Sequence, residues 1–387
     1  MNTNTIKGFQ DFIGSEANKR AKILDVIRNE FRLFGFEPAE TPTIESVEFV
    51  RGENAGDEAV SEIFKLEDRG KRKLALKYES TFQLKRIARN QKLPYKVYQI
   101  ARVFRDEPVK SNRLREFSQC DADVIGSSPK DEVEVLSMLK SIFEKLKIKP
   151  KFYINNKRLL NEILVSENIE EKNREQVLRE LDKLDKLSKK EVADNLKKLG
   201  AEKLLKIFSG SEKNFEKYNF YKEIKELKKL ARAYNLKLEF LPTLARGLSY
   251  YNGTIFEVET SSMKETICGG GAYLINDSQS FGFALGLDRI STVSGIEGEN
   301  TCVLVVSVGR DDSAIRLAEK IRGEGISVNL MLDKSVGKAL EYANAKNILK
   351  VVIIGDEESK LKKFKIKDMK SGKEILVDES DLVGKLG

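Results

Sequence analysis

Two stretches of ten residues most constrain what this chain can fold into: 96–105 (KVYQIARVFR) and 116–125 (EFSQCDADVI). Each places apolar and polar side chains at alternating positions, which is the period of a β-strand. The residues between them, 106–115, are polar and include Pro108, so the pair predicts a hairpin with a long loop. On the second strand, alternation puts Phe117, Gln119, Asp121 and Asp123 on one face. That face fits either an ordinary charged hairpin or a recognition surface. On a recognition surface an arginine clamps a phosphate, an aromatic ring stacks on a base and an amide holds a polar group.

The remaining pattern supplies what packs around the hairpin. Further strands are expected at 252–259 (NGTIFEVE) and 281–285. A helix is expected over 16–34, where Ile23, Leu24, Ile27, Phe31 and Phe34 recur at helical spacing before Gly35. Pro38 and Pro42 keep 37–43 extended. Hairpin-linked strands with helices against them predict an α+β domain built on an antiparallel sheet. Residues 156–235 are dense in Lys, Glu and Leu, lack proline and show helical spacing at Val177, Leu178, Leu181, Leu184 and Leu187. They read as a helical insertion whose charged faces are solvated, with nucleic-acid contact the less favoured reading. After 295–300, the run 302–308 (CVLVVSV) reads as a buried strand. Asp311-Asp312-Ser313 is positioned to cap a helix bearing Ile315, Leu317, Ala318 and Ile321. Strands at 326–330 and 351–354 and a helix at 337–346 complete a separate C-terminal α/β domain with a largely parallel core.

Composition narrows the chemistry. A chain of 387 residues accommodates two or three domains. It contains no histidine, so a Ser-His-Asp triad, a Cys-His dyad, a His-ligated metal and a His base are all excluded. Three cysteines, Cys120, Cys268 and Cys302, lie far apart, which argues against a disulfide framework and a thiolate zinc site; no metal ligands are expected. No apolar run approaches membrane-spanning length, and the N-terminus lacks the pattern of a signal peptide, so the expectation is a cytoplasmic protein without a membrane partner. Lys and Arg number 69 against 61 Asp and Glu, a net +8, which suits a polyanionic partner.

Three more segments stand out. LARGLSYYNGTIFEVE (244–259) sets Arg246 before a tyrosine pair. ICGGGAYL (267–274) carries three glycines, fitting either a turn or a close approach of substrate to backbone. GFALGLDRI (282–290) ends in Arg289. In this order, these segments resemble the histidyl-tRNA synthetase family of class II aminoacyl-tRNA synthetases. The helix with Pro42 is similar to motif 1, the dimer-forming element. VFRDEPVKSNRLREFSQCDADVIG is similar to motif 2, and GFALGLDRI to motif 3. RGLSYY and Glu79-Ser80-Thr81 carry the histidine-specific resemblance.

The resemblance implies a domain plan: a catalytic domain at 1–155 and 236–295, the helical insertion at 156–235 and an anticodon-binding-like domain at 300–387. It implies a homodimer that uses ATP with Mg2+, activates histidine to histidyl-adenylate and transfers it to tRNA(His). Arg105 would hold the α-phosphate, Phe117 would stack on adenine, and Arg113 and Arg289 would meet the outer phosphates beside Glu107. Glu79 and Thr81 would bind the amino group, helped by Gln119. Asp123, Tyr250, Tyr251 and Tyr273 would surround the imidazole, and Arg246 would sit at the reacting carboxylate and α-phosphate. Lys77-Tyr78, Ser249, Ala272, Leu274, Asp288 and 155–157 (NNK) depart from the family pattern. A related reading is a non-catalytic paralogue of the kind that regulates ATP phosphoribosyltransferase. It is disfavoured by the extra C-terminal domain and by the retained Arg105, Arg246 and Arg289. A class II synthetase for another amino acid is disfavoured by RGLSYY and Asp123. If Arg246 stabilises developing negative charge, Arg246→Ala lowers kcat by ~10²–10³ with a small change in KM. Steady-state pyrophosphate exchange checks this, and an unchanged kcat removes Arg246 from the reaction.

Overall fold

The computed structural model describes residues 3–52, 62–109, 113–185, 187–245, 250–332, 334–361 and 363–386. Along the chain, the first four strands are β1 (Glu37–Pro38), β2 (Ile44–Ser46), β3 (Lys65–Glu67) and β4 (Lys73–Leu76). Then come β5 (Tyr95–Phe104), β6 (Glu116–Ile125), β7 (Pro150–Asn156) and β8 (Leu238–Phe240). β9 (Thr254–Thr260), β10 (Met263–Ile275) and β11 (Ser278–Gly286) follow. The C-terminal strands are β12 (Asn300–Ser307), β13 (Val328–Met331), β14 (Ile348–Ile354), β15 (Lys363–Asp368) and β16 (Glu374–Asp378). The chain divides into two compact units, 1–11 with 23–296, and 12–22 with 297–387.

The first unit is organised on an eight-stranded sheet of order β1-β5-β6-β11-β10-β9-β7-β8. Its interior is antiparallel, and β1 and β8 add in parallel at the two edges. The expected hairpin is present, with Tyr95 opposite Ile125 and Phe104 opposite Glu116. The first helix, Gly14–Leu33, buries Ile23, Ile27 and Phe31 at four-residue spacing. The Phe31 ring centroid is 4.9 Å from that of Tyr98 and 6.1 Å from that of Phe283, so this helix meets the sheet at β5 and β11. A second helix, Pro129–Lys145, starts with a capping box of Ser128 and Asp131 and has Pro at its first turn. It buries Val133, Leu136, Leu139 and Phe143.

In the first unit, three elements differ from the sequence reading. The glycine run at 269–271 is neither a turn nor an open approach: it lies inside β10, buried between β9 and β11. A Cβ at Gly270 would sit 2.0 Å from the carbonyl oxygen of Gly282 on β11, so two strand backbones approach too closely there for a side chain. The small β2-β4-β3 sheet was not expected at all. The helical segment is framed by strands, entering from β7 and returning through β8, which pairs with β7 in parallel. Within it, Val177, Leu178 and Leu181 are buried on the helix Glu171–Leu181. That helix then ends, a 3-10 turn follows at Asp182–Asp185, and Leu187 is exposed.

The second unit holds a five-stranded sheet of order β13-β12-β14-β15-β16. β12 pairs in parallel with β13 and β14, as the apolar runs imply, but β15 and β16 extend the sheet as an antiparallel hairpin. The helix Asp311–Gly323 is not capped by Asp311-Asp312-Ser313. Its N-cap is Arg310, without a side-chain cap, and the two aspartates occupy the first turn, where they favour the helix dipole. Among the described residues, no helix is long and apolar enough to cross a membrane.

Phe31→Ala removes a fully buried ring from the contact between the first helix and the sheet and lowers stability by ~3–5 kcal/mol. Leu33→Ala, at an exposed position of the same helix, changes it by less than ~0.5 kcal/mol. Equilibrium unfolding in denaturant checks the contrast.

Candidate active site

One face of β6 carries an acidic end and a cationic end. At the acidic end Gln119, Asp121 and Asp123 are buried. Asp123 lies opposite Gly282 of β11, where a Cβ would fall 1.9 Å from its Oδ1; the glycine makes room for the carboxylate. Tyr273, on β10, donates its hydroxyl to Asp123 Oδ1. Its ring centroid lies 5.5 Å from that of Tyr250 and 6.5 Å from that of Tyr251. Gly271 is cleared for this cluster, since a Cβ there would sit 2.9 Å from Tyr251 Cδ1 and 2.5 Å from Thr254 O. Burial raises the Asp123 carboxyl to about 7, against the opposing hydrogen bond from Tyr273 and with the negative charge of Glu79 adding to the rise. Burial likewise pushes Tyr250 and Tyr273 well above the ordinary phenol range, so both remain hydroxyl donors near neutral pH.

Glu79 is buried at the end of the segment that follows β4. Its charge acts on Asp121, Asp123, Tyr250 and Tyr273, which places it in the same cluster. Thr81 stands two residues on, where its carbonyl accepts from Leu84 N–H at 3.0 Å.

At the cationic end, Arg105 follows β5 directly. Its backbone N–H donates to Arg115 O at 2.9 Å and its Nε to Tyr78 O at 3.3 Å. Its guanidinium carbon lies 5.2 Å from the Phe117 ring centroid. Arg113 Nη1 is 2.7 Å from Glu107 Oε2. Arg289 projects from the short helix Leu287–Val293, which Asp288 ties to β6 by accepting from Ser118 N–H at 3.2 Å. Arg289 Nη1 donates to Thr266 O at 2.6 Å. Its pKa is lowered by burial first, then by the positive charge of Arg113; Arg105 adds to the effect, and Glu265 and Glu107 oppose it. Arg289 thus lies within electrostatic reach of two further guanidinium groups, an arrangement suited to a polyphosphate.

The structure therefore brings Glu79, Gln119, Asp123, Tyr250, Tyr251 and Tyr273 to one end of β6, and Arg105, Glu107, Arg113, Phe117 and Arg289 to the other. Arg246 and Ser249 lie outside the described residues. Sequence reasoning assigned no role to Asp121, Lys77 or Gly282. The strand alternation had already placed Asp121 on the working face, and Lys77 stood out only as a departure from the family pattern. Lys77 is 2 % exposed, and its Nζ donates to Thr41 O and Oγ1, both at 3.4 Å.

Comparison with known proteins identifies the family. Residues 8–290 match a family model described as histidyl-tRNA synthetase, and 301–387 match one described as anticodon binding domain. Histidine–tRNA ligase 1 of Bacillus cereus is 32% identical over 421 aligned positions, covering 99% of this chain and 97% of that protein. Histidine–tRNA ligase of Christiangramia forsetii is 33% identical, covering 98% of each. The crystal structure of histidyl-tRNA synthetase from Nostoc sp. PCC 7120 superposes with a TM-score of 0.87 at 26% identity, covering 100% of this chain and 99% of that one.

The raised Asp123 carboxyl sets a pH dependence. The unfolded chain binds its proton at ~3.9 and the folded chain at about 7. Asp123 therefore opposes folding progressively as pH rises through that window. The stability advantage of Asp123→Asn over the unsubstituted protein grows by up to ~4 kcal/mol between pH 4 and pH 8. Denaturant unfolding at both pH values checks this; a constant difference contradicts it.

Proposed function

The chain belongs to the histidyl-tRNA synthetase family of class II aminoacyl-tRNA synthetases, and from that premise we propose that it activates histidine with ATP and charges it onto tRNA(His). The observation that carries the proposal is the two-ended face of β6. Three arginines gather beside Phe117, and carboxylates and phenols gather around Asp123. A carboxylate attacking ATP brings two anions together, and paired guanidinium groups lower that barrier. In this reading Arg105 holds the α-phosphate, adenine stacks on Phe117, and Arg113 and Arg289 take the outer phosphates. Glu79, Thr81 and Gln119 receive the amino group, while Asp123 and the tyrosines read the imidazole N–H positions, which an aliphatic pocket does not.

The histidine carboxylate attacks the α-phosphorus and pyrophosphate leaves. The terminal hydroxyl of the tRNA then attacks the adenylate carbonyl and AMP leaves. With no imidazole in the chain, the hydroxyl proton passes to a phosphate oxygen, water or a carboxylate. Among the described residues, no group of three or more acidic or thiol side chains is arranged to hold a metal. That suits an Mg2+ held mainly by the phosphates, with Glu107 and Glu265 the carboxylates facing Arg289. Bound there, the ion supplies charge neutralisation to the departing pyrophosphate.

The C-terminal unit, matched to an anticodon-binding model, would engage tRNA, and the net charge of +8 favours that polyanion. A homodimer through the first helix and the edge segment at β1 completes the proposal. The regulatory-paralogue reading draws on a Bacillus halodurans structure titled ATP phosphoribosyltransferase regulatory subunit/histidyl-tRNA synthetase, a likeness at 21% identity that speaks to fold alone. ATP–pyrophosphate exchange with each of the twenty amino acids separates the readings. Exchange is expected with histidine only; no exchange supports the paralogue, and exchange with another amino acid overturns the substrate.

A further inference from the structure

Tyr250 and Tyr251 stand on a stretch without regular structure. Residues 250–253 belong to no helix and no strand, and β9 begins only at Thr254. Individual contacts, not a ladder, therefore hold this stretch in place. On one side Asn252 N–H donates to Ala272 O at 2.9 Å, and the Asn252 and Gln279 amides exchange hydrogen bonds at 3.2 and 3.1 Å. On the other side Lys157 N–H donates to Gly253 O at 2.8 Å. Beside it the Thr254 hydroxyl donates to the carboxylate of Glu132, in the first turn of the helix Pro129–Lys145. Glu132 and Thr254 are 7 % and 8 % exposed, so this last contact is made out of water. Thr254 also presents its carbonyl to Gly271, the glycine that leaves room for Tyr251.

A buried carboxyl is a costly way to hold a hydroxyl. Burial raises Glu132 to about 7; the negative charges of Glu223 and Asp131 add to the rise, and Thr254 and Arg158 oppose it. In either protonation state the carboxyl pairs with the Thr254 hydroxyl, which both donates and accepts. The opposing cation, Arg158, faces two carboxylates. Its Nη2 lies 3.0 Å from Glu223 Oε2, which also accepts from Asn156 Nδ2 at 2.7 Å. Its guanidinium carbon lies 5.5 Å from the Phe220 ring centroid. Glu223 is in the first turn of the helix Tyr221–Ala233, so Arg158 joins a helix of the insertion to the support of the tyrosine stretch. The same guanidinium closes on that stretch directly, since a Cβ at Gly253 would sit 3.6 Å from Nη2.

We propose that Glu132 is a positioning residue for imidazole recognition: by holding Thr254 it fixes residues 250–253, and with them Tyr250 and Tyr251, while Arg158 supplies its counter-charge from the edge of the insertion. This rests on the reading of the site as histidine-activating. Glu132 touches no substrate in that reading. It acts through Thr254 on the two phenols, from the helix Pro129–Lys145 and not from the face of β6.

The test is ATP–pyrophosphate exchange by the full chain, with histidine and ATP varied in turn. Thr254→Val removes the hydroxyl and keeps the branched shape. It is expected to raise the KM for histidine by roughly fivefold to fiftyfold, the effect of one buried hydrogen bond left unmade. The KM for ATP, bound at the other end of β6, should change by less than about twofold. Thr254→Ser keeps the hydroxyl and should restore the histidine KM to within about threefold. Adding Glu132→Met to Thr254→Val should cost less than the product of the two single effects, because both remove the same contact. An unchanged histidine KM in Thr254→Val overturns the proposal. Equal rises for histidine and ATP, or independent effects in the double variant, make Glu132 a structural residue and overturn it too. If Thr254→Val does not fold, Glu132→Met alone is judged by the same split between histidine and ATP. Failure of the underlying reading shows separately, as an unsubstituted chain without histidine-dependent exchange.

Discussion

Holding several carboxylates out of water on one strand face is the constraint around which the rest of the site is arranged. Asp121 and Asp123 sit two residues apart on β6, with Glu79 close enough to raise both. Each ionised group removed from water is costly unless a donor or counter-charge meets it. The surroundings answer that cost in different ways. Tyr273 donates to Asp123, Lys77 faces Asp121, and glycines at 271 and 282 give the tyrosine ring and the carboxylate space that any side chain would occupy. This is the kind of site at which stability is sacrificed for recognition.

The cationic end obeys the same logic with the sign reversed. Arg289 is partly desolvated beside Arg113 and Arg105, an arrangement unfavourable in isolation and favourable around a polyphosphate. Glu107 moderates it by pairing with Arg113, whose side chain remains 47 % exposed. β6 runs through both ends, with Phe117 beside Arg105 and Asp123 beside Tyr273, so the separation of those two contacts is fixed by β-strand geometry.

Much of this was legible in the sequence because strand alternation is a local signal. Period two placed Phe117, Gln119, Asp121 and Asp123 on one face before any pairing was known, and helical spacing found Ile23, Ile27 and Phe31. What was not legible depends on contacts across strands. Nothing near Gly270 in sequence announces that the Gly282 carbonyl lies where its Cβ would go. Nor does the sequence near Lys77 show that its ammonium ends beside Thr41 and Asp121. The short strands β2, β3 and β8 were missed for the same reason: three residues carry too little periodicity, and they are strands only because a neighbour hydrogen-bonds to them. At 311–313 the cap residues were one turn element too far along, since Arg310 ends the extended chain first.

The parallel pairing of β7 with β8 has a consequence for how this architecture tolerates change. Phe152 faces Leu238 and Ile154 faces Phe240, so the chain leaves the sheet and rejoins it at adjacent rungs. Everything between is a closed excursion whose two ends are fixed side by side. Lengthening or shortening such an excursion alters loop-closure entropy only logarithmically and leaves the strand order untouched. Among the described residues, five α-helices lie between these strands. The length of this excursion can change while the face of β6, several strands away, keeps its register.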